Sequence, residues 1–294
     1  MACAAGPRFA SRVAWKVSKS ILPSETIFET SAAVTPSCFE RSERIGTPRS
    51  ASCCTTSPLS LPVAATLPKM VVISLLSLPR HGWINLHFSL LPRWRGAAPV
   101  QHALIAGERT TGASVFQLVA ALDAGDVFGD VRYDVPRGAT AGDVLADLAD
   151  VGAELLVRVT DEIAAGTARA VPQVGTPTLA PKLSIADGAL DLTENAEIVL
   201  DRFRGTTPEP GAHVGFAGGR LKILAAHRGP DTDLPPGTLS LSGRDVLLTA
   251  GKGTTVVLKT VQPSGKGAMA AGDWWRGLRI DDPRVDLPSE RATS

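Results

Sequence analysis

The chain has 294 residues, 44% hydrophobic and 20% charged, with 30 Lys+Arg against 29 Asp+Glu and a formal net charge of +1. That suits a globular chain of about two domains, at ~150 residues each, with a sizeable core. It excludes a strongly basic coat protein, so any nucleic-acid contact must come from a local patch. Mean hydropathy is +0.11. No apolar run reaches the ~18 residues of a membrane span. The most apolar run, Met70 to Leu78, is preceded by Lys69 and closed by Pro79-Arg80, and reads as a buried strand.

Residues 1–67 stand apart. They hold 18 Ser+Thr, seven Lys+Arg and four acids, all Glu, without helical or alternating periodicity. Cys3, Cys38, Cys53 and Cys54 all lie here, and with no CxxC spacing they read as incidental. Three expectations compete: a disordered tail, an organellar presequence, or a stretch that is not the gene's native reading frame.

From about Leu75 the patterning is clear. Residues 82–87 read as a strand, Ser89 to Gly96 as a loop, and Val100 to Ala106 as a helix opened by Pro99 and stopped by Gly107. Residues 113–119 and 127–135 read as strands around a turn at Asp123-Ala124-Gly125-Asp126. Val144, Leu148, Val151, Leu155 and Val159 give a helix over 140–165 one apolar face. Thr140 with Asp143 forms a capping box, and Gly166 closes the helix. The order of these elements indicates an α/β layer.

A stretch marked by Pro172, Pro177 and Pro181 reads as a linker over 171–186. A short helix over 196–203 follows, then strands at 212–216, 220–227, 237–241, 244–249 and 254–261, which suggest a small barrel or sandwich. Met269 to Trp275 reads as a last helical turn, with Trp274 and Trp275 as a packing anchor.

Asn85 and His87 are two apart on a strand, so both face the same way, at the strand's C-terminal end where α/β sheets bind ligands. Asn can donate to a developing oxyanion, and His can exchange a proton near neutrality. Asp123, in a turn after the neighbouring strand, could fix the tautomer of His87 and favour its charged form. By spacing alone, an Asn-x-His pair on a strand is more often structural.

The run Asn85-Leu86-His87-Phe88-Ser89-Leu90-Leu91-Pro92-Arg93-Trp94-Arg95-Gly96-Ala97-Ala98-Pro99-Val100-Gln101 resembles the signature of the methionyl-tRNA formyltransferase family. Thr111-Gly112 followed by Leu122-Asp123-Ala124-Gly125-Asp126 resembles its second motif. Thr207 to Ala212, Gly219 to Lys222 and Val261 to Lys266 resemble its C-terminal domain, and set it apart from formyltransferases acting on purine ribonucleotides or amino sugars. An amino-sugar formyltransferase is the weaker alternative. Two departures stand out: Phe88 replaces a glycine, on the face away from His87, and residues 1–67 carry no counterpart of the family's opening Rossmann-like strands.

The resemblance implies a Rossmann-like α/β formyltransferase domain followed by an all-β barrel of the OB type. The expected division is an unmatched segment 1–74, a partial catalytic domain 75–170, a linker 171–186, a tRNA-binding domain 187–287 and a tail 288–294. It implies formyl transfer from 10-formyltetrahydrofolate to the amino group of methionyl initiator tRNA. Asn85, a protonated His87 and Asp123 would be catalytic, with Asp123 raising the pKa of His87. Ser89, Leu90, Leu91, Pro92, Leu118 and Leu122 would line the folate site. Arg93, Arg95, Arg204, Arg220, Lys222 and Lys266 would contact tRNA. The competing expectation is a catalytically inactive remnant whose barrel binds RNA weakly. No metal, nucleotide cofactor, membrane or DNA partner is expected, and the chain is expected to be a cytoplasmic monomer, with a mitochondrial address as the alternative.

Overall fold

The computed structural model of the chain describes Leu76 and residues 78–287. These belong to one compact unit, Leu67–Ser294. The expectations for residues 1–74 and for the tail 288–294 lie outside the described residues.

Strand β1 (Ile84–His87) is followed by helix α1 (Pro99–Ile105), strands β2 (Thr110–Gln117) and β3 (Val127–Asp134), and helix α2 (Ala141–Ala165). The three strands form one sheet in the order β1-β2-β3, antiparallel throughout. Strand β2 starts and ends earlier than its apolar run suggests. Its first residues pair with β3, Thr110 opposite Asp134, and beyond Gln117 the chain bends toward Gly125. A Cβ at Gly125 would stand 1.7 Å from the Gln117 carbonyl oxygen, so only glycine permits that approach.

Helix α2 carries the capping box its sequence promises. The Thr140 hydroxyl accepts from Asp143 N–H at 3.4 Å, and the Asp143 carboxylate accepts from Thr140 N–H at 2.9 Å. The Thr140 N–H, together with the Thr140 hydroxyl donating at 2.7 Å, holds the Asp143 carboxyl below its ordinary pKa. Gly166 closes the helix at φ 72°. Val144, Leu148, Leu155 and Val159 are buried on the sheet.

A 3-10 turn (Ile185–Gly188) leads into helix α3 (Ala196–Gly205), capped by Asn195 through Ile198 N–H at 3.1 Å. Strands β4 (His213–Phe216), β5 (Gly219–Arg228), β6 (Leu239–Ser242), β7 (Asp245–Thr249), β8 (Thr255–Pro263) and β9 (Met269–Ala270) form one antiparallel sheet in the order β4-β5-β8-β7-β6, with β9 on β8. Helix α4 (Ala271–Arg276) follows. Bridges from Asp286 to Gly215 and from Arg284 to Thr238 connect the two sheet edges, so the curled sheet offers little open backbone. Inside lie Leu221, Ile223, Val246, Leu248, Leu258 and Val261, capped by Leu192, Val199 and Phe203.

Helix α3 joins the two parts, packing on α1 and on β5. A Cβ at Gly205 would stand 2.6 Å from the Gln101 carbonyl oxygen, so glycine sets how closely the helices approach.

Candidate active site

Strand β1 sorts its side chains by alternation. Leu86, and Phe88 just beyond the strand, pack toward α2, where a Cβ on Gly152 would already touch both, at 3.0 and 3.3 Å. Phe88 therefore does point away from His87. Asn85 and His87 face the other way, opposite Phe116 and Ser114 of β2. His87 is 6% exposed, with its ring edge-on to Phe116 at 6.2 Å between centroids. Among the described residues, no hydrogen bond engages the Asn85 amide, which is free to donate.

His87 Nε2 lies 2.9 Å from the Trp94 carbonyl oxygen. A carbonyl can only accept, so Nε2 carries the hydrogen and Nδ1 the lone pair. Nδ1 stands 3.8 Å from Asp123 Oδ2. That oxygen accepts from Gly96 N–H at 2.7 Å, which fixes the carboxylate in place. Burial pushes the pKa of His87 down, while Asp123 and the Trp94 carbonyl pull it up; the net shift is downward from the ordinary 6.5. Asp123 does raise the pKa of His87, as expected; what changes is the balance, which burial tips downward and away from the protonated His87 that the sequence suggests. Loss of hydration outweighs the one carboxylate, which favours the neutral imidazole.

The loop after β1 is held by side chains. Ser89 Oγ donates to the Arg93 carbonyl at 2.6 Å, and Ser114 Oγ to the Ser89 carbonyl at 2.7 Å. Trp94 stands at φ 60°, and Asp123 at φ 45°, a region few non-glycine residues occupy.

Residues 171–180, expected as a linker, are instead a strap across this loop. Trp94 N–H donates to Thr178 Oγ1 at 2.8 Å, Arg95 pairs with Thr178 and Ala180 through its backbone, and Val171 pairs with Val127. Gly96, at φ 127°, leaves no room for a Cβ, which would lie 2.6 Å from the Ala180 carbonyl oxygen. Gln173 Nε2 donates to the Asp123 and Gly125 carbonyls at 2.8 Å each, and its Oε1 accepts from Arg95. Gln173 and Thr178 escaped sequence reading, because their partners lie 48 to 84 positions away.

The residues expected around folate divide. Leu90 and Leu91 border a cleft of about 330 Å³ with Ser114, Phe128, Asp130 and Pro172. Ser89 is fully buried with its hydroxyl engaged inside the loop, so its role is corrected to holding the loop. Pro92 is buried, Leu118 half-buried and Leu122 60% exposed, and neither leucine borders that cleft.

The basic residues divide too. Arg204 is corrected: it is 4% exposed and paired with Asp201 of its own helix, so it cannot meet a phosphate. Arg95 turns inward to Gln173. Arg93 lies on the Trp94 ring and pairs with Glu108. Arg220 and Lys222 are exposed, two apart on β5, and so share a face. Gln262 stands opposite Lys222, and its amide donates to the Lys266 carbonyl at 3.0 Å, which brings exposed Lys266 to the same corner. Among the described residues no group of three His, Cys, Asp or Glu could hold a metal, and no helix is long and apolar enough to cross a membrane.

Comparison with known proteins agrees with this arrangement. The formyl transferase family model matches residues 55–160, and the formyl transferase C-terminal domain model matches 182–279. The first match begins ahead of Leu75, where the sequence resemblance starts. The methionyl-tRNA formyltransferase of Leifsonia xyli subsp. xyli is 59% identical over 204 residues, 69% of this chain and 67% of that one. That of Clavibacter sepedonicus is 54% identical over 210 residues, 71% of this chain and 68% of the relative. Among solved structures, HypX from Aquifex aeolicus in complex with tetrahydrofolic acid superposes with a TM-score of 0.54 at 17% identity, covering 69% of this chain and 38% of that one. An N-formyltransferase from Helicobacter canadensis, in complex with folinic acid and dTDP-3-aminofucose, gives 0.51 at 14% identity, covering 61% and 65%. These two share the fold. A Rossmann-like formyltransferase domain is thus followed by an all-β C-terminal domain, and with identities of this order over two thirds of its relatives' length, the chain belongs to the methionyl-tRNA formyltransferase family.

Proposed function

We propose that this chain transfers the formyl group of 10-formyltetrahydrofolate to the amino group of methionyl initiator tRNA. The observation that carries the reading is a buried His87, its Nε2 on the Trp94 carbonyl and its Nδ1 turned to Asp123, beside an Asn85 amide that no described residue engages. The amine nitrogen bonds to the formyl carbon, and the bond from that carbon to the folate nitrogen breaks. Asn85 donates to the oxygen that turns anionic in between, a contact worth about 3 kcal/mol of barrier. His87 takes the amine proton at Nδ1, directly or through one water, and returns it to the departing nitrogen. Asp123 stabilises the imidazolium in that interval.

Folate is read as entering past Leu90 and Leu91, and Arg220, Lys222 and Lys266 as contacts to tRNA phosphates. The all-β domain is read as an OB-type barrel. The protein is read as a cytoplasmic monomer that works with no metal. A formylation assay with 10-formyltetrahydrofolate and methionyl initiator tRNA tests the reading. His87→Ala should lower kcat by about 10² to 10⁴-fold. No formylation by folded wild-type protein, or preference for an amino-sugar nucleotide, overturns it.

A further inference from the structure

The amide of Gln173 sits between the two halves of the His87 site. Its Nε2 donates to the carbonyls of Asp123 and Gly125, at 2.8 Å each. Its Oε1 accepts from Arg95 Nε at 3.2 Å and Nη2 at 2.6 Å. The amide fits only this way round, since carbonyls accept and a guanidinium donates, and its hydrogen-bonding capacity is filled. One pair of contacts fixes the turn that carries Asp123 at φ 45°. The other fixes Arg95, between Trp94, whose carbonyl orients His87, and Gly96, whose N–H holds the Asp123 carboxylate.

We propose that Gln173 is a positioning residue of the formyl-transfer site: it ties the backbone that orients the His87 ring to the backbone that places the Asp123 carboxylate. The inference rests on the formyltransferase reading above and adds a residue to its machinery. Gln173 meets no reacting atom. It acts on the distance between Asp123 Oδ2 and His87 Nδ1, 3.8 Å here. Without it, the Asp123 turn relaxes and the carboxylate no longer stands at Nδ1. A displacement of about 1 Å at such a site lowers turnover on the order of 100-fold.

The groups facing His87 are few among the described residues: Asp123 at Nδ1, the Trp94 carbonyl at Nε2 and the Phe116 ring from β2. Asp123 is the only charged one, and it raises the pKa of His87. Losing it from Nδ1 must therefore move the His87 titration to lower pH, a change that general destabilisation would not produce.

The test uses the full chain with Gln173→Met, near in size and unable to hydrogen-bond, Gln173→Ala as a second variant, and exposed Thr176→Ala on the same strap as control. Steady-state formylation gives kcat and KM, and NMR gives the His87 titration. The expected result is kcat lower on the order of 100-fold in both Gln173 variants, KM within about twofold, and His87 titrating at lower pH, with the control unchanged. Wild-type kcat in Gln173→Met overturns the proposal, as does lost turnover with an unmoved His87 titration. If wild-type protein formylates no tRNA, the functional reading fails, and the NMR titration still decides whether Gln173 holds the pair.

Discussion

The His87 site and the all-β domain put their polar groups to opposite use. Along β5, Arg220 and Lys222 point outward while Leu221 and Ile223 go to the core, and ladder hydrogen bonds hold the backbone. Around His87, side chains hold the backbone: Ser89, Ser114, Thr178 and Gln173 each bond a main-chain group, and Trp94 and Asp123 rest at positive φ. One region is secured by buried apolar area, the other by a few directed contacts that area cannot replace. Stability and catalysis should therefore respond separately to substitution.

Leu258, fully enclosed in the all-β core, offers the largest break. Leu258→Ala should destabilise the fold by about 2–5 kcal/mol, read as a lower urea midpoint at unchanged m-value, while kcat per folded molecule stays at the wild-type level. A fall in kcat alongside stability would erase the contrast. Acid should produce a smaller effect from the other region. The folded-state pKa of His87 is depressed, so the folded chain binds fewer protons than the unfolded one once pH drops below the ordinary 6.5. That contribution to stability is complete above 6.5 and is lost as pH falls through the folded pKa. Chemical denaturation between pH 7.5 and about 5 should show this decline in wild-type protein and a shallower one in His87→Gln. The smallest effect is expected at the surface. Arg220→Ala and Lys222→Ala should each raise the KM for tRNA modestly and cut the slope of log affinity against log salt by about 1, with kcat unchanged.

What the sequence reveals follows the same division. Short-range rules suffice for α2, because Thr140, Asp143 and Gly166 act within a turn of it, and for β5, because its alternation is local. Asn85 and His87 are legible for that reason, two apart on one strand. The strap is not. Gln173 and Thr178 lie among prolines and glycine in a stretch with the composition of a linker, and their roles come from partners far along the chain. Charge misleads where burial decides: Arg204 reads as a phosphate contact, yet it is buried and paired with Asp201. The ionisation of His87 is misread likewise, because a carboxylate partner shows in the motif and the loss of water does not.

The order in which the strap and the catalytic pair are made has its own consequence. Thr178 lies 84 positions after Trp94, and Gln173 lies 50 after Asp123. At about 5–20 residues per second, a ribosome takes roughly 4–17 s to travel from Trp94 to Thr178. Throughout that interval the nascent chain already contains Asn85, His87 and, later, Asp123, yet lacks the segment that sets them against one another. Competence therefore comes late in synthesis, and a message cut short between the two motifs and the strap yields a polypeptide with every reactive group and no assembled centre.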